Sequence, residues 1–234
     1  MDTKAKLDRL IKEQPKFHWV PSTNSATSWG IQRSFLERLP EMVSRDCVTL
    51  ETGAGLSTVV FALIGTEHFC ISPAEDEHRR IRSYCEDAGI STDRLHSIAA
   101  PSSASLPGLD LGGRELDFAL IDGAHAFPQA MVDYFYINDR LKVNGLLAVD
   151  DLQIPSVGIL HRFLMSDPAY ELVTIDGRKT GVYRKIRATL YPMDFASQPM
   201  NKKNPDYSFL LGVRIRQIAR QIPGTRWASA RKRR

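Results

Sequence analysis

The chain has 234 residues, 43% hydrophobic and 25% charged, which suits one folded core with or without an appendage and excludes a wholly disordered chain. No apolar run approaches the ~20 residues of a membrane-spanning helix, and the first fourteen residues lack the apolar stretch of a secretory signal. The net charge of +4 is unevenly spread: residues 185–234 carry twelve Lys or Arg against Asp194 and Asp206, a balance of +10 that leaves −6 elsewhere.

In chain order, residues 2–13 place Leu7, Leu10 and Ile11 on one side of a short helix. Residues 17–28 mix Phe17, His18, Trp19 and Pro21 with polar residues and read as an ordered loop or lid, whose aromatics, with Trp29, either cover a substrate or pack against the sheet edge. A second helix spans 29–43, with Ile31, Phe35, Leu36 and Leu39 at helical spacing and Pro40 kinking its end. Strand 47–52, helix 57–63, strand 68–72 and a charged helix over 73–87 follow, the last opened by Pro73 and closed by Gly89. Strand 95–99, a loop over 101–114, strand 116–122, helix 128–141, a turn at Gly145, strand 146–151 and helix 156–165 continue the alternation. Strands that are apolar throughout, separated by helices, indicate parallel strands buried on both faces. Residues 170–175 and 180–186 flank Asp176-Gly177-Arg178-Lys179 and make a closing hairpin. The expected fold is α/β, a doubly wound, mostly parallel seven-stranded sheet with a terminal antiparallel hairpin. Cys47, Cys70 and Cys85 form no CxxC pair and pack as small hydrophobes, so the expected setting is a reducing cytoplasm without disulfides.

Three motifs carry chemistry. Glu51-Thr52-Gly53-Ala54-Gly55-Leu56-Ser57-Thr58 lies between a strand and a helix. Gly53 can take backbone angles closed to other residues, Gly55 lets a ligand approach the main chain, and Ser57 or Thr58 caps the helix. The loop lacks the Gly-Lys-Ser/Thr ending of a phosphate loop and the third glycine of the dinucleotide fingerprint. Asp122 ends one strand and Asp150-Asp151 the next, so strands ~4.8 Å apart bring three acids to the carboxyl edge, where open α/β sheets bind ligands. Carboxylates so close repel one another unless a cation or a buried proton relieves them, and oxygen ligands on strand ends suit Mg²⁺. The plain alternative is that Asp122 caps its loop and the Asp pair turns the chain. His125, three residues past Asp122, either takes a proton from a hydroxyl near neutral pH or stabilises the loop.

The glycine loop, Asp117-Phe118-Ala119-Leu120-Ile121-Asp122-Gly123-Ala124-His125, Gly145-Leu146-Leu147-Ala148-Val149-Asp150-Asp151 and the closing hairpin together resemble the class I S-adenosylmethionine (SAM) dependent methyltransferases. The nearer likeness is to the metal-dependent small-molecule and sugar O-methyltransferases, and it covers residues 46–186. It implies that Gly53, Ala54 and Gly55 lie against the methionine and ribose of SAM, with Ser57 and Asp122 beside them and Glu51 near the amino group. It also implies Mg²⁺ at Asp122, Asp150 and Asp151, and His125 as the base acting on a small-molecule, sugar or glycolipid hydroxyl. One position departs from the pattern: Ser72 stands where an acid usually holds the ribose hydroxyls, a weaker neutral partner, and Glu75 can reach back instead.

The expected division is an N-terminal helical and lid segment (1–45), a SAM-binding catalytic domain (46–186) and a basic C-terminal extension (187–234). Within the extension, residues 208–222 can form a helix bearing Arg214, Arg216 and Arg220, followed by the basic run 231–234. This segment either contacts an anionic surface such as lipid headgroups, peripheral to a membrane, or acts as a solubilising tail. A homo-oligomer is compatible with the sequence. Two rival functions stand beside the methyltransferase: an NAD-dependent oxidoreductase, opposed by the missing third glycine and the terminal hairpin, and a catalytically silent binding or scaffold domain, favoured by Ser72 and opposed by the Asp122, His125, Asp150 and Asp151 set.

Overall fold

The computed structural model of the chain describes residues 3–20, 22, 24–27, 30–189 and 194–202. Pro21, Trp29, the helix expected over 208–222 and the basic run 231–234 lie outside the described residues. The chain forms two compact units, Met1–Met193 and Asp194–Arg234. Among the described residues of the second, a 3₁₀ turn spans Pro199–Lys202, and the Asn201 amide donates to the Phe195 carbonyl at 3.0 Å.

The first unit is built on a seven-stranded sheet. In chain order its strands are β3 (Val48–Thr52), β4 (Glu67–Ile71), β5 (Leu95–Ile98), β6 (Leu116–Ile121), β7 (Leu141–Val149), β8 (Tyr170–Asp176) and β9 (Thr180–Lys185), and they lie side by side as β5-β4-β3-β6-β7-β9-β8. The first five are parallel, while β9 runs antiparallel to both β7 and β8. The order reverses between β3 and β6, the switch point where such sheets open a ligand crevice.

Both faces of the sheet are covered, as the apolar strands require. Phe118 and Leu120 of β6 join one core cluster and Ala119 and Ile121 the other, the period-2 alternation of a strand between two layers. The first layer holds α1 (Thr3–Glu13), α2 (Arg33–Met42), α3 (Leu56–Ile64) and the buried side of α4 (Glu75–Asp87). The second holds α6 (Gln129–Arg140) and α7 (Pro155–Leu164). Leu7, Leu10 and Ile11 of α1 and Phe35, Leu36 and Leu39 of α2 are buried in the same cluster as Val59, Val60 and Phe61 of α3. The N-terminal helices are therefore part of the core.

Four local expectations are revised. Residues 17–28, expected as a loop, contain a small antiparallel hairpin of β1 (His18–Val20) and β2 (Ser25–Thr27). Residues 101–114 are not all loop, because α5 (Ser102–Ser105) and a 3₁₀ turn, Leu106–Gly108, bury Leu106 beneath them. Pro73 precedes α4 rather than opening it, since the helix begins at Glu75. Strand pairing starts at Leu141 opposite Leu116, breaks, and resumes with Phe118 opposite Leu146, so Gly145 lies in an irregularity within β7. A Cβ at Gly145 would sit 2.8 Å from the Leu141 side chain and 3.2 Å from the Asp117 carbonyl, which explains glycine there.

Candidate active site

Strand register assembles the site. Thr52 pairs with both Ile71 and Ile121, and Ile121 pairs with Val149, so the next residues, Gly53, Ser72, Asp122 and Asp150, emerge along one edge of the sheet. Backbone hydrogen bonds run one residue further, from Gly53 N to Ile71 O at 2.9 Å, Asp122 N to Thr52 O at 2.9 Å and Asp150 N to Ile121 O at 3.0 Å. Above this edge opens a cavity of about 800 Å³, within the range of small-molecule sites. Gly53, Ala54, Ser72, Asp122, His125, Asp150 and Asp151 all line it. Glu51, Gly55, Ser57 and Glu75 do not.

The first three of those support the glycine loop from below. Glu51 is 1% exposed and accepts hydrogen bonds from Ser57 Oγ at 2.6 Å and from the Thr58 hydroxyl, while His68 Nε2 lies 3.2 Å away. Burial works against its charge, but His68 and the two hydroxyls outweigh that and hold the carboxyl below its usual range. Glu51 is thus turned to these internal partners rather than to the position expected for a ligand's amino group. Thr58 Oγ1 accepts from Gly55 N at 2.9 Å and so closes the start of α3. Gly55 has an extended backbone, and a Cβ there would meet only the His18 ring at 3.5 Å. Gly53 is the demanding position. Its φ is +101°, and a Cβ would lie 2.3 Å from the Asp122 carbonyl oxygen, so glycine lets the ends of β3 and β6 meet.

At the second strand end, Ser72 Oγ donates to Glu77 Oε2 at 3.0 Å, and Glu77 Oε1 lies 3.0 Å from His18 Nδ1. Glu77 and His18 both line the cavity. Glu75, at the first position of α4, is exposed and points elsewhere, so the acid beside Ser72 is Glu77, half a turn further on. Burial disfavours the Glu77 charge, but His18 and Ser72 outweigh it and hold the carboxyl below its ordinary value.

Past β5, Ser102 and Gln129 form a third wall. Gln129 Nε2 donates to Ser102 Oγ at 2.9 Å and to Asp133 Oδ1 at 2.8 Å, while Ser102 Oγ donates to the same Asp133 oxygen at 2.8 Å. Because a carboxylate only accepts, Asp133 fixes the Gln129 amide with its NH₂ inward. Burial raises the Asp133 carboxyl above its ordinary range, against the opposing pull of Ser102, Gln129 and the Thr52 hydroxyl.

The acidic corner differs from a simple trio of acids. His125 Nε2 lies 3.0 Å from Asp151 Oδ2 and 3.9 Å from Asp122 Oδ1, and Ser156 Oγ pins the His125 carbonyl at 2.5 Å. Loss of hydration lifts the Asp122 carboxyl to about 7, with His125 opposing and Asp150 adding to the lift. His125 is raised above its ordinary value, first by Asp122 and then by Asp151, against the effect of burial. Asp151 has φ +58°, a left-handed backbone uncommon outside glycine but tolerated by Asp. Asp150 is 1% exposed and accepts from the Thr180 hydroxyl, and Lys179 Nζ stands 2.9 Å from Asp150 Oδ2 and 3.2 Å from Asp151 Oδ1. Burial disfavours the Lys179 charge, but both aspartates more than offset this and raise its pKa.

This donor set does not fit the implied Mg²⁺ on Asp122, Asp150 and Asp151. Mg²⁺ asks for near-octahedral oxygens. Here both Asp150 oxygens face Thr180 or Lys179, and Asp151 Oδ1 also accepts from Gln153 Nε2 at 2.7 Å. Glu77, Gln129 and Lys179, which sequence reasoning missed, reach the site by helix phase and hairpin topology. SAM fits better: its expected edge is present, with the cavity, the Ser72–Glu77 pair and the oriented Gln129 disposed along it.

Residues 50–152 match a family model described as a methyltransferase domain. No curated sequence matches the chain. Among solved structures, the O-methyltransferase TomG of Streptomyces achromogenes, in complex with SAM, aligns with a TM-score of 0.60 at 13% identity, covering 80% of this chain and 91% of that one. The methyltransferase PaMTH1 of Podospora anserina, bound to S-adenosylhomocysteine (SAH), aligns at 0.58 and 16% identity, covering 80% and 89%. An rRNA methylase of Streptococcus thermophilus aligns at 0.53 and 16% identity, covering 66% and 96%. At such identities these structures speak for the fold, while the family match spans the glycine loop, the switch point and the acidic strand ends that line the cavity. Residues 50–152 thus match a methyltransferase domain, and the sheet order and cavity around it are those of the SAM-dependent methyltransferase fold.

Proposed function

We propose that the protein methylates a hydroxyl oxygen of a small molecule, with a sugar or glycolipid as the acceptor class to test first. The observation that carries this reading is His125, a histidine on the cavity wall between Asp122 and Asp151, at the same sheet edge as Gly53 and Ser72. SAM supplies a sulfonium-bound methyl group that an oxygen nucleophile displaces directly. In this reading Ser72 and Glu77 hold ribose hydroxyls, and Ser102 and Gln129 face the base. His125 takes the acceptor's proton at Nε2, with Asp122 and Asp151 favouring the imidazolium that results. General-base assistance of this kind is worth about 10²–10⁴-fold in rate.

The test has two parts. Calorimetry of the full chain with SAM, SAH and NAD should give binding of the first two and none of NAD. A panel of sugars, glycolipids and phenols with methyl-labelled SAM should then yield a methyl ether, and His125→Ala should slow single-turnover transfer while SAH affinity stays the same. Labelling of nitrogen or of carboxylate acceptors only, or wild-type transfer rates in His125→Ala, would overturn the reading.

A further inference from the structure

The acidic corner holds a cation supplied by the chain itself. Because β9 runs antiparallel to β7, the turn that precedes β9 arrives at the carboxyl end of β7, with Gly181 opposite Val149. In that turn Gly177 and Arg178 both have positive φ, +57° and +60°, and Lys179 N bonds back to Asp176 O at 2.9 Å, the pattern of a primed hairpin turn. Leu152 N in turn bonds to Lys179 O at 2.9 Å, which fixes the turn against the segment after β7. Three oxygens surround the ammonium, which donates to Gly30 O at 3.2 Å and forms ion pairs with Asp150 Oδ2 at 2.9 Å and Asp151 Oδ1 at 3.2 Å. Lys179 also lines the cavity.

We propose that Lys179 is the resident cation of this site, taking the place that metal-dependent O-methyltransferases give to a dication, so that the acidic cluster works without a bound divalent metal. The inference rests on the methyltransferase reading above, since only there does the corner meet an acceptor. Asp122, His125 and Asp151 do offer ligand atoms within 4.8 Å of one another. A dication among them would meet Asp151 through Oδ2, the oxygen beside His125, on the carboxylate whose Oδ1 faces Lys179, and so would stand within a few ångström of the ammonium, where like charges repel strongly outside bulk water. Lys179 instead balances Asp150 and Asp151 permanently, and its charge faces the space where the acceptor oxygen gives up its proton. Lys179 acts as a positioning and charge-balancing group and exchanges no bond or proton in the step.

Manganese, as a paramagnetic substitute for Mg²⁺, tests this directly. Chelator-treated full chain with saturating SAH is titrated with Mn²⁺, and the free ion is read by electron paramagnetic resonance. Wild type and Lys179→Arg should leave Mn²⁺ free through the sub-millimolar range. Lys179→Met should bind one Mn²⁺ roughly a hundredfold more tightly than wild type, the scale expected when one like charge is removed from beside the ion. Adding Asp151→Asn to Lys179→Met should abolish that gain. Stoichiometric, tight Mn²⁺ binding by wild type overturns the proposal without any variant, and so does a folded Lys179→Met that gains nothing. SAH calorimetry on the same samples separates the two readings. A chain that binds no SAH overturns the methyltransferase reading, whereas one that binds both SAH and Mn²⁺ overturns only the role given to Lys179.

Discussion

At the scale of single residues, the function proposed above gives the ribose to Glu77 rather than to the residue at the strand end. Ser72 Oγ already donates to Glu77 Oε2 at 3.0 Å, so the pair presents one carboxylate steered by a hydroxyl. Glu77→Gln should weaken SAH binding by about 1–2 kcal/mol, the difference between a charged and a neutral hydrogen-bond acceptor, while the exposed Glu75→Gln should leave it unchanged. Ser72→Asp should weaken binding too, because the new carboxylate would face Glu77. Calorimetry on the three variants checks this, and equal affinity for Glu77→Gln and wild type would remove Glu77 from the cofactor site. His125 offers a second test that needs no acceptor. With Asp122 the first cause of its raised pKa, its ring should titrate above ~6.5 by NMR, and Asp122→Asn should bring the midpoint down. The neutral, proton-accepting form grows as pH rises through that midpoint, so methyl transfer should climb across the same range and lose that limb in His125→Ala.

At the scale of elements, helix phase places groups that strand ends cannot. Gln129 opens α6 and Asp133 lies one turn on, so the buried carboxylate fixes the amide above it on one face of the helix. The arrangement costs stability at neutral pH. Burial raises the folded-state pKa of Asp133 above its unfolded value near ~3.9, so its contribution is full below that value and is lost as pH rises through the folded pKa. Asp133→Asn keeps an oxygen for Ser102 and Gln129 and removes the charge. It should melt higher than wild type at pH 7, with the difference shrinking toward pH 4. Thermal melts across that range decide it, and a variant less stable than wild type at pH 7 would mean that Asp133 gains more from its partners than burial takes away.

For the whole molecule, the N-terminal helices behave as core and not as a detachable cover. Leu10 of α1 is fully buried in the cluster that includes α3, the helix that starts at the glycine loop. Phe17 stacks edge-on against Tyr84 with ring centres 5.9 Å apart, and Arg80 Nε donates to the Phe17 carbonyl at 2.6 Å, so the segment is held to α4 as well. Leu10→Ala should therefore cost about 2–5 kcal/mol in urea unfolding, as for other buried leucines. A loss below ~1 kcal/mol would show that residues 3–13 are dispensable to the fold. Among the described residues no helix is long and apolar enough to cross a membrane.

The alternation of buried strands and helices, the closing hairpin, and the edge at which Gly53, Ser72, Asp122 and Asp150 emerge are all legible in the order of the amino acids. These follow from local patterns, apolar runs punctuated by glycine and acid, and from a register that parallel strands enforce once one face and then the other is buried. The sequence also argued that three acids so close need a cation. Which side chains come to stand beside these groups depends on how distant elements pack. Glu51 looks from its motif like a cofactor ligand, yet its neighbours on the folded strand, Ser57, Thr58 and His68, claim it. Glu77, and not Glu75, lies beside Ser72 because two residues along a helix turn a side chain to another face. Lys179 meets Asp150 and Asp151 across nearly thirty residues of chain, because an antiparallel last strand begins where its parallel neighbour ends, a proximity that no local spacing encodes.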